Sequence, residues 1–144
     1  MKLSTRARYG VRMMLELGVN YGKGPTYLRE VAEKEDISEK YLSQLVLPLK
    51  SANLITAERG IKGGYILKKS PENITLREIV EALEGKLSIV PCINEPALCN
   101  RVSLCVTRDV WKKVEEAIIS TLEKITLQDL VETYREKQNL TYVI

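Results

Sequence analysis

Two short helix patterns separated by one tight break and followed by a single glycine-tipped β-hairpin restrict this chain to very few folds. Ser4 and Thr5 are placed to cap a first helix, in which Tyr9, Met13, Leu17 and Tyr21, with Val11, Met14 and Leu15, recur at helical spacing until Gly22 and Gly24 stop it. A second helix follows Pro25 and Thr26, buries Leu28, Val31 and Ala32, and ends near Asp36. Ser38 then caps a third helix through Tyr41, Leu42, Leu45, Val46 and Leu49. Two short helices joined by so brief a turn have the form of a helix-turn-helix.

The hairpin strengthens that reading. Leu54 to Arg59 is β-prone, Gly60 to Gly64 includes three glycines and a lysine, and Tyr65 to Leu67 is β-prone again. A basic, flexible-tipped hairpin behind a helix-turn-helix is a wing. In winged helices the third helix enters the major groove, while the wing follows the backbone or places an arginine in the minor groove. Ser38, Lys40, Tyr41, Ser43 and Gln44 occupy the N-terminal or exposed part of the third helix, and Arg59 and Lys62 stand on the wing; these are the candidate DNA-binding residues. A core role for Tyr41 and a solvated one for Gln44 are the competing assignments.

Charge points to the same partner. Residues 1–70 hold 13 Lys and Arg against 7 Asp and Glu, whereas residues 71–144 hold 9 against 12, so a polyanion is expected on the first half. At 144 residues and 44% hydrophobic, the chain buries one ordinary core. The glycines do not suit a nucleotide enzyme: Arg59-Gly-Ile-Lys-Gly-Gly-Tyr65 has neither phosphate-loop spacing nor a following helix N-terminus. With no histidine in the chain, Ser-His-Asp, Cys-His and H-E-x-x-H chemistry are all excluded, and no enzyme activity is expected.

Beyond the wing, Thr75 to Glu78 is a capping box opening a helix through Ile79, Val80, Ala82 and Leu83 to Gly85. Asp109 is a plausible N-cap for a long amphipathic helix carrying Val110, Val114, Ala117, Ile118, Thr121, Leu122 and Ile125, with Trp111 near its start. Thr126 to Asp129 caps a last helix. An apolar face of that length, with no domain left to cover it, suits dimerisation, the alternative being an intramolecular core helix. A homodimer also matches a palindromic operator in double-stranded DNA. The expected fold is therefore mainly α: a winged helix-turn-helix domain at 1–85 with a small β-hairpin wing, a cysteine loop at 86–108, and a helical dimerisation region at 109–144.

Cys92, Cys99 and Cys105 are the chain's only cysteines, separated by six and five residues in a loop bearing Pro and Asn. Neither a signal-peptide pattern nor an 18-residue apolar run occurs, so a cytoplasmic protein without a membrane partner is expected. In that reducing compartment, clustered cysteines argue for metal binding or redox chemistry over a disulfide. Three thiolates suit an iron-sulfur cluster or zinc, and a thiol switch or incidental burial stays open on spacing alone.

The opening Leu3-Ser-Thr-Arg-Ala-Arg-Tyr9-Gly, the stretch Ile37 to Leu45, the wing Arg59 to Tyr65, the three cysteines followed by Trp111, and Ile125-Thr-Leu together resemble the IscR-like iron-sulfur cluster regulators over nearly the whole chain. The resemblance implies a homodimeric winged-helix transcription regulator, most often a repressor. Three loop cysteines would hold an iron-sulfur cluster of the 2Fe-2S type, and its occupancy would control cluster-biogenesis genes. Relatives sense nitric oxide through a cluster or cysteine supply without one; three cysteines favour the cluster-binding branch. A thiol-redox or nitric-oxide responsive regulator is the alternative, and a small iron-sulfur carrier is the competitor from another class. Two departures stand out. Where the family places a histidine ligand this chain has Arg108, whose guanidinium cannot ligate iron, leaving Asp109, Glu95, Asn100 or an outside group as the fourth donor. Where the family carries a glutamate in the recognition helix it has Ser43, which relaxes base choice.

Overall fold

The computed structural model describes residues 2–60 and 63–143. Helix α1 spans Thr5–Val19, with the Ser4 hydroxyl accepting from the Ala7 amide at 3.0 Å. It buries Ala7, Met13, Met14 and Leu17 along one stripe. It stops earlier than the glycines suggest, and Tyr21 lies outside it. Asn20 ends the helix, its side-chain amide reaching the carbonyls of Gly24 and Pro25 and, at 3.0 Å, the hydroxyl of Thr26.

Helix α2, Leu28–Glu35, ends at Asp36 in the left-handed conformation, φ 53°. Ile37 is buried at the turn, and Ser38 caps α3, Glu39–Ser51, by accepting from the Tyr41 amide at 3.0 Å. The helix runs on through Pro48, which offers no amide to the preceding turn. Leu42, Leu45, Val46 and Leu49 face the core. Strands β1, Ile55–Ala57, and β2, Tyr65–Leu67, are antiparallel with Ile55 opposite Leu67 and Ala57 opposite Tyr65. The first strand is shorter than the β-prone stretch 54–59. The second is also tied to the loop before α2, through Thr26 and Tyr65 exchanging amide-to-carbonyl bonds at 2.9 Å each. Gly64, at φ 135°, packs where a Cβ would come within 2.8 Å of Pro25, so this turn of the wing requires glycine.

Helix α4, Leu76–Glu84, opens with the expected capping box: Thr75 accepts from the Glu78 amide at 3.1 Å, and Glu78 accepts from the Thr75 amide at 2.9 Å. After the short α5, Pro91–Asn94, the long α6 spans Val106–Lys124, and α7 runs Leu127–Val143. The α6 start differs from the sequence expectation. Cys105, not Asp109, is its N-cap, because the helix begins a turn earlier and Asp109 joins that first turn, where a carboxylate complements the helix dipole. Thr126 and Asp129 do cap α7 reciprocally, at 2.9 and 3.1 Å.

The core joins α1, α2, α3, the hairpin, α4 and α7. A Cβ on Gly10 of α1 would run into Leu83 of α4, and one on Gly18 would meet Val131 and Leu127 of α7 at 3.0 and 3.3 Å. These two glycines let α1 lie close against both helices. Leu127 and Val131 are buried, and the Leu76 and Leu127 amides donate to the carbonyls of Ile125 and Ile74 at 2.8 Å. The last helix is thus built into the same core as the winged elements. On α6, by contrast, Val106, Val110, Trp111 and Val114 stand 80, 50, 44 and 38% exposed. No helix among the described residues is long and apolar enough to cross a membrane.

Candidate nucleic-acid interface and thiol centre

The recognition face is built by the amphipathic pattern of α3. With Leu42, Leu45, Val46 and Leu49 turned inward, helical geometry leaves Lys40, Ser43 and Gln44 outward, and all three are exposed. Ser38 is exposed but spends its hydroxyl on the cap. Ser43 turns its hydroxyl back onto the Lys40 carbonyl at 2.6 Å, which commits its one donor hydrogen and leaves only acceptor capacity outward. Arg59 is exposed at the end of the hairpin, and Lys62 lies outside the described residues.

Tyr41 is not purely a core residue. Half-buried, it meets the Tyr9 ring edge-on, with centroids 5.7 Å apart and planes at 83°. Arg12 lies over the Tyr9 ring, 5.3 Å from its centroid, and donates to the backbone carbonyl and the carboxylate of Glu35. Arg12 therefore closes the C-terminus of α2 and braces the first turn of α3 through the two tyrosines. Sequence reasoning placed Tyr9 on the apolar stripe without seeing that it reaches the recognition helix. It also passed over Leu47, which is 72% exposed on α3.

Beneath the brace, Glu16 of α1 is 5% exposed, with the Lys34 ammonium 3.9 Å from its carboxylate. Burial raises its pKa above the usual carboxylate value; Lys34 opposes this and Glu35 adds to it.

The three cysteines occupy one irregular segment between α4 and α6, each half-buried and free of disulfide. Cys92 follows Pro91 in α5, and Cys99 ends a single 3-10 turn, Pro96–Leu98. The sulfur of Cys105, at the N-terminus of α6, lies 3.3 Å from the Thr107 hydroxyl. Hydrogen bonding from that hydroxyl, and then from the Arg108 amide, lowers the Cys105 pKa and favours the thiolate. Arg108 donates from Nε to the Cys92 carbonyl at 3.3 Å, which joins the start of the segment to its end. Three thiols form a donor set of the right softness for iron-sulfur or zinc binding. In the single chain they share a segment, but among the described residues no three His, Cys, Asp or Glu side chains are gathered closely enough to hold a metal ion.

Comparison with known proteins accords with this geometry. The model of the Rrf2 family, described as "Iron-dependent Transcriptional regulator", matches residues 3–133. The HTH-type transcriptional regulator CymR of Bacillus subtilis is 38% identical over 99% of this chain and 98% of its own. Its solved structure, presented as the global cysteine regulator, superposes with a TM-score of 0.75 at 37% identity, covering 92% of this chain and 98% of that one. The structure of T. potens IscR gives a TM-score of 0.78 at 37% identity over 96% of this chain and 91% of that one. IscR of Klebsiella pneumoniae is 32% identical over 91% of this chain and 80% of its own. A helix-turn-helix with its wing, a family match over nearly the whole chain and full-length relatives that regulate transcription lead to one conclusion: this chain belongs to the Rrf2 family of winged-helix transcriptional regulators.

Proposed function

We propose that this protein is a homodimeric repressor of cluster-biogenesis genes whose affinity for a palindromic operator depends on an iron-sulfur cluster, of the 2Fe-2S type, held by Cys92, Cys99 and Cys105. The observation that carries the reading is the cysteine segment itself: three half-buried, reduced thiols, the last of them biased towards thiolate, in one segment leading directly into α6. When bound, a cluster would supply a charged, redox-sensitive cross-link among the three sulfurs. The chain's own residues do the rest. Cys92, Cys99 and Cys105 would hold such a group between α5, the 3-10 turn and the α6 N-terminus, and the Arg108 bond to the Cys92 carbonyl already ties the first of these to the last.

Helix α6 carries the segment's state onward. Its exposed Val106, Val110, Trp111 and Val114 form an apolar strip that a second copy would cover, and the strip begins one residue after Cys105. A shift in the segment then changes the angle between the two recognition helices. Lys40, Gln44 and Arg59, together with Lys62, are the residues that meet DNA, and Tyr41 is held for them by Tyr9.

Anaerobic purification with a visible spectrum and iron and sulfide analysis tests the assignment. Iron and acid-labile sulfide in the native protein, absent from each single Cys→Ala variant, support it; stoichiometric zinc without sulfide replaces it.

A second reading has its own support. Full-length similarity to a protein presented as a cysteine regulator, together with thiols that are not gathered into a metal-holding group, favours a regulator of cysteine supply or of thiol redox state. That reading requires operator affinity to follow thiol oxidation or a partner, with no iron bound.

A further inference from the structure

We propose that Leu47 is a specificity-determining residue that packs against the 5-methyl group of thymine in the operator's major groove; this rests on the proposed entry of α3 into that groove. Lys40, Ser43, Gln44 and Leu47 follow the i, i+3, i+4, i+7 spacing of one helical face, and all four are exposed. On the opposite face every leucine of α3 is at most 1% exposed, whereas Leu47 is 72% exposed. Isolated exposed leucines are common on protein surfaces, and exposure alone would carry nothing. Its neighbours make the difference. Ser43, one turn before, has given its hydroxyl hydrogen to the Lys40 carbonyl, so it has no donor left for a base edge beside Leu47. Gln44, three residues before, is exposed beside it and carries the amide that pairs bidentately with adenine N6 and N7. Lys40 supplies the positive end.

A face reading cation, amide and leucine in that order is complementary to a major groove presenting phosphate, adenine and a thymine methyl. Apolar contact with that methyl is the recognition chemistry open to a leucine there, since it can neither donate to nor accept from a base edge. Pro48 follows immediately within the helix and fixes the backbone next to it.

Duplexes selected from random sequence by the native protein provide the probe, and each selected thymine is replaced in turn by deoxyuridine, which removes only the methyl group. Fluorescence anisotropy at one fixed salt concentration should show native binding weakened about fourfold at one position per half-site, the effect of losing one buried methyl. Leu47→Ser and Leu47→Ala should bind the thymine and deoxyuridine duplexes equally at that position, with unchanged affinity for unrelated DNA. Native protein indifferent to every deoxyuridine, or variants that keep the native ratio, would overturn the inference and leave the DNA-binding reading intact. A native protein that selects and binds no duplex would overturn that reading, and this inference with it.

Discussion

Arg108 donates its Nε hydrogen to the carbonyl oxygen of Cys92 at 3.3 Å, so the first and last turns of the cysteine segment are joined through the residue at the position where the sequence resemblance implies a histidine. The side chain that cannot ligate a metal instead holds the loop. Arg108→Ala removes one hydrogen bond, a net contribution of about 0.5–1.5 kcal/mol. Maleimide labelling of Cys92, followed by mass spectrometry, should then proceed roughly two- to tenfold faster than in the native protein. An unchanged rate would mean that the bond does not restrain the segment.

The wing depends on Gly64. A Cβ there meets Pro25 at 2.8 Å, on a backbone at φ 135° that other residues rarely adopt. Gly64→Ala should lower stability by about 1–3 kcal/mol in urea denaturation and weaken DNA binding beyond what the stability loss explains. Arg59→Ala should leave stability unchanged and cost about 1–3 kcal/mol of specific binding.

Two carboxylates give opposite pH signatures. Burial opposes ionisation of Glu78, but the Lys69 ammonium at 2.6 Å and the Thr75 bonds outweigh it and lower its pKa below 4.5. Its contribution to stability is therefore complete above the unfolded value near 4.5 and is lost as pH falls through the lower folded one. Glu16 has the reverse sign: with its folded pKa raised by burial, stability falls as pH rises from the unfolded value through the folded one. Thermal unfolding between pH 3 and 8 should show Glu78→Gln less stable than native at neutral pH but converging with it in acid. Glu16→Gln should equal or exceed native stability at neutral pH.

The exposed strip of α6 makes assembly testable without touching the core. Val110 is 50% exposed in the single chain, so Val110→Glu should fold normally and sediment as a monomer, whereas the native protein should sediment as a dimer. A soluble Val110→Glu dimer would place the interface elsewhere.

Local signals made most of the winged domain legible. Ser4, Ser38 and the Thr75–Glu78 box each announced a helix through a capping side chain, and the glycines around Lys62 announced the hairpin between strands that the structure pairs from Ile55 to Leu67. Longer-range features were hidden. Nothing near Asn20 in sequence reveals that its amide ties down the loop to Thr26 and ends α1 before Tyr21. Asp109 looked like a cap because it precedes the apolar run, yet the helix begins at Val106, where exposed apolar residues carry no inward periodicity. The Tyr9–Tyr41 contact joins residues 32 positions apart in sequence, and the burial of Leu127 and Val131 beneath Gly18 depends on the packing of two distant helices. In the thiol centre the donor types could be read directly, but their spacing could not, because Cys92 and Cys99 lie on turns too short to impose a periodicity.

Operator affinity measured anaerobically, on one selected duplex and at one salt concentration, tests the central claim most directly. The comparison is between cluster-reconstituted protein, cluster-stripped protein and the Cys92→Ala variant. The account predicts at least a tenfold difference, about 1.4 kcal/mol, between the reconstituted and stripped forms, with Cys92→Ala matching the stripped form before and after reconstitution. Equal affinity of all three, with iron and sulfide bound to the native protein, would contradict it.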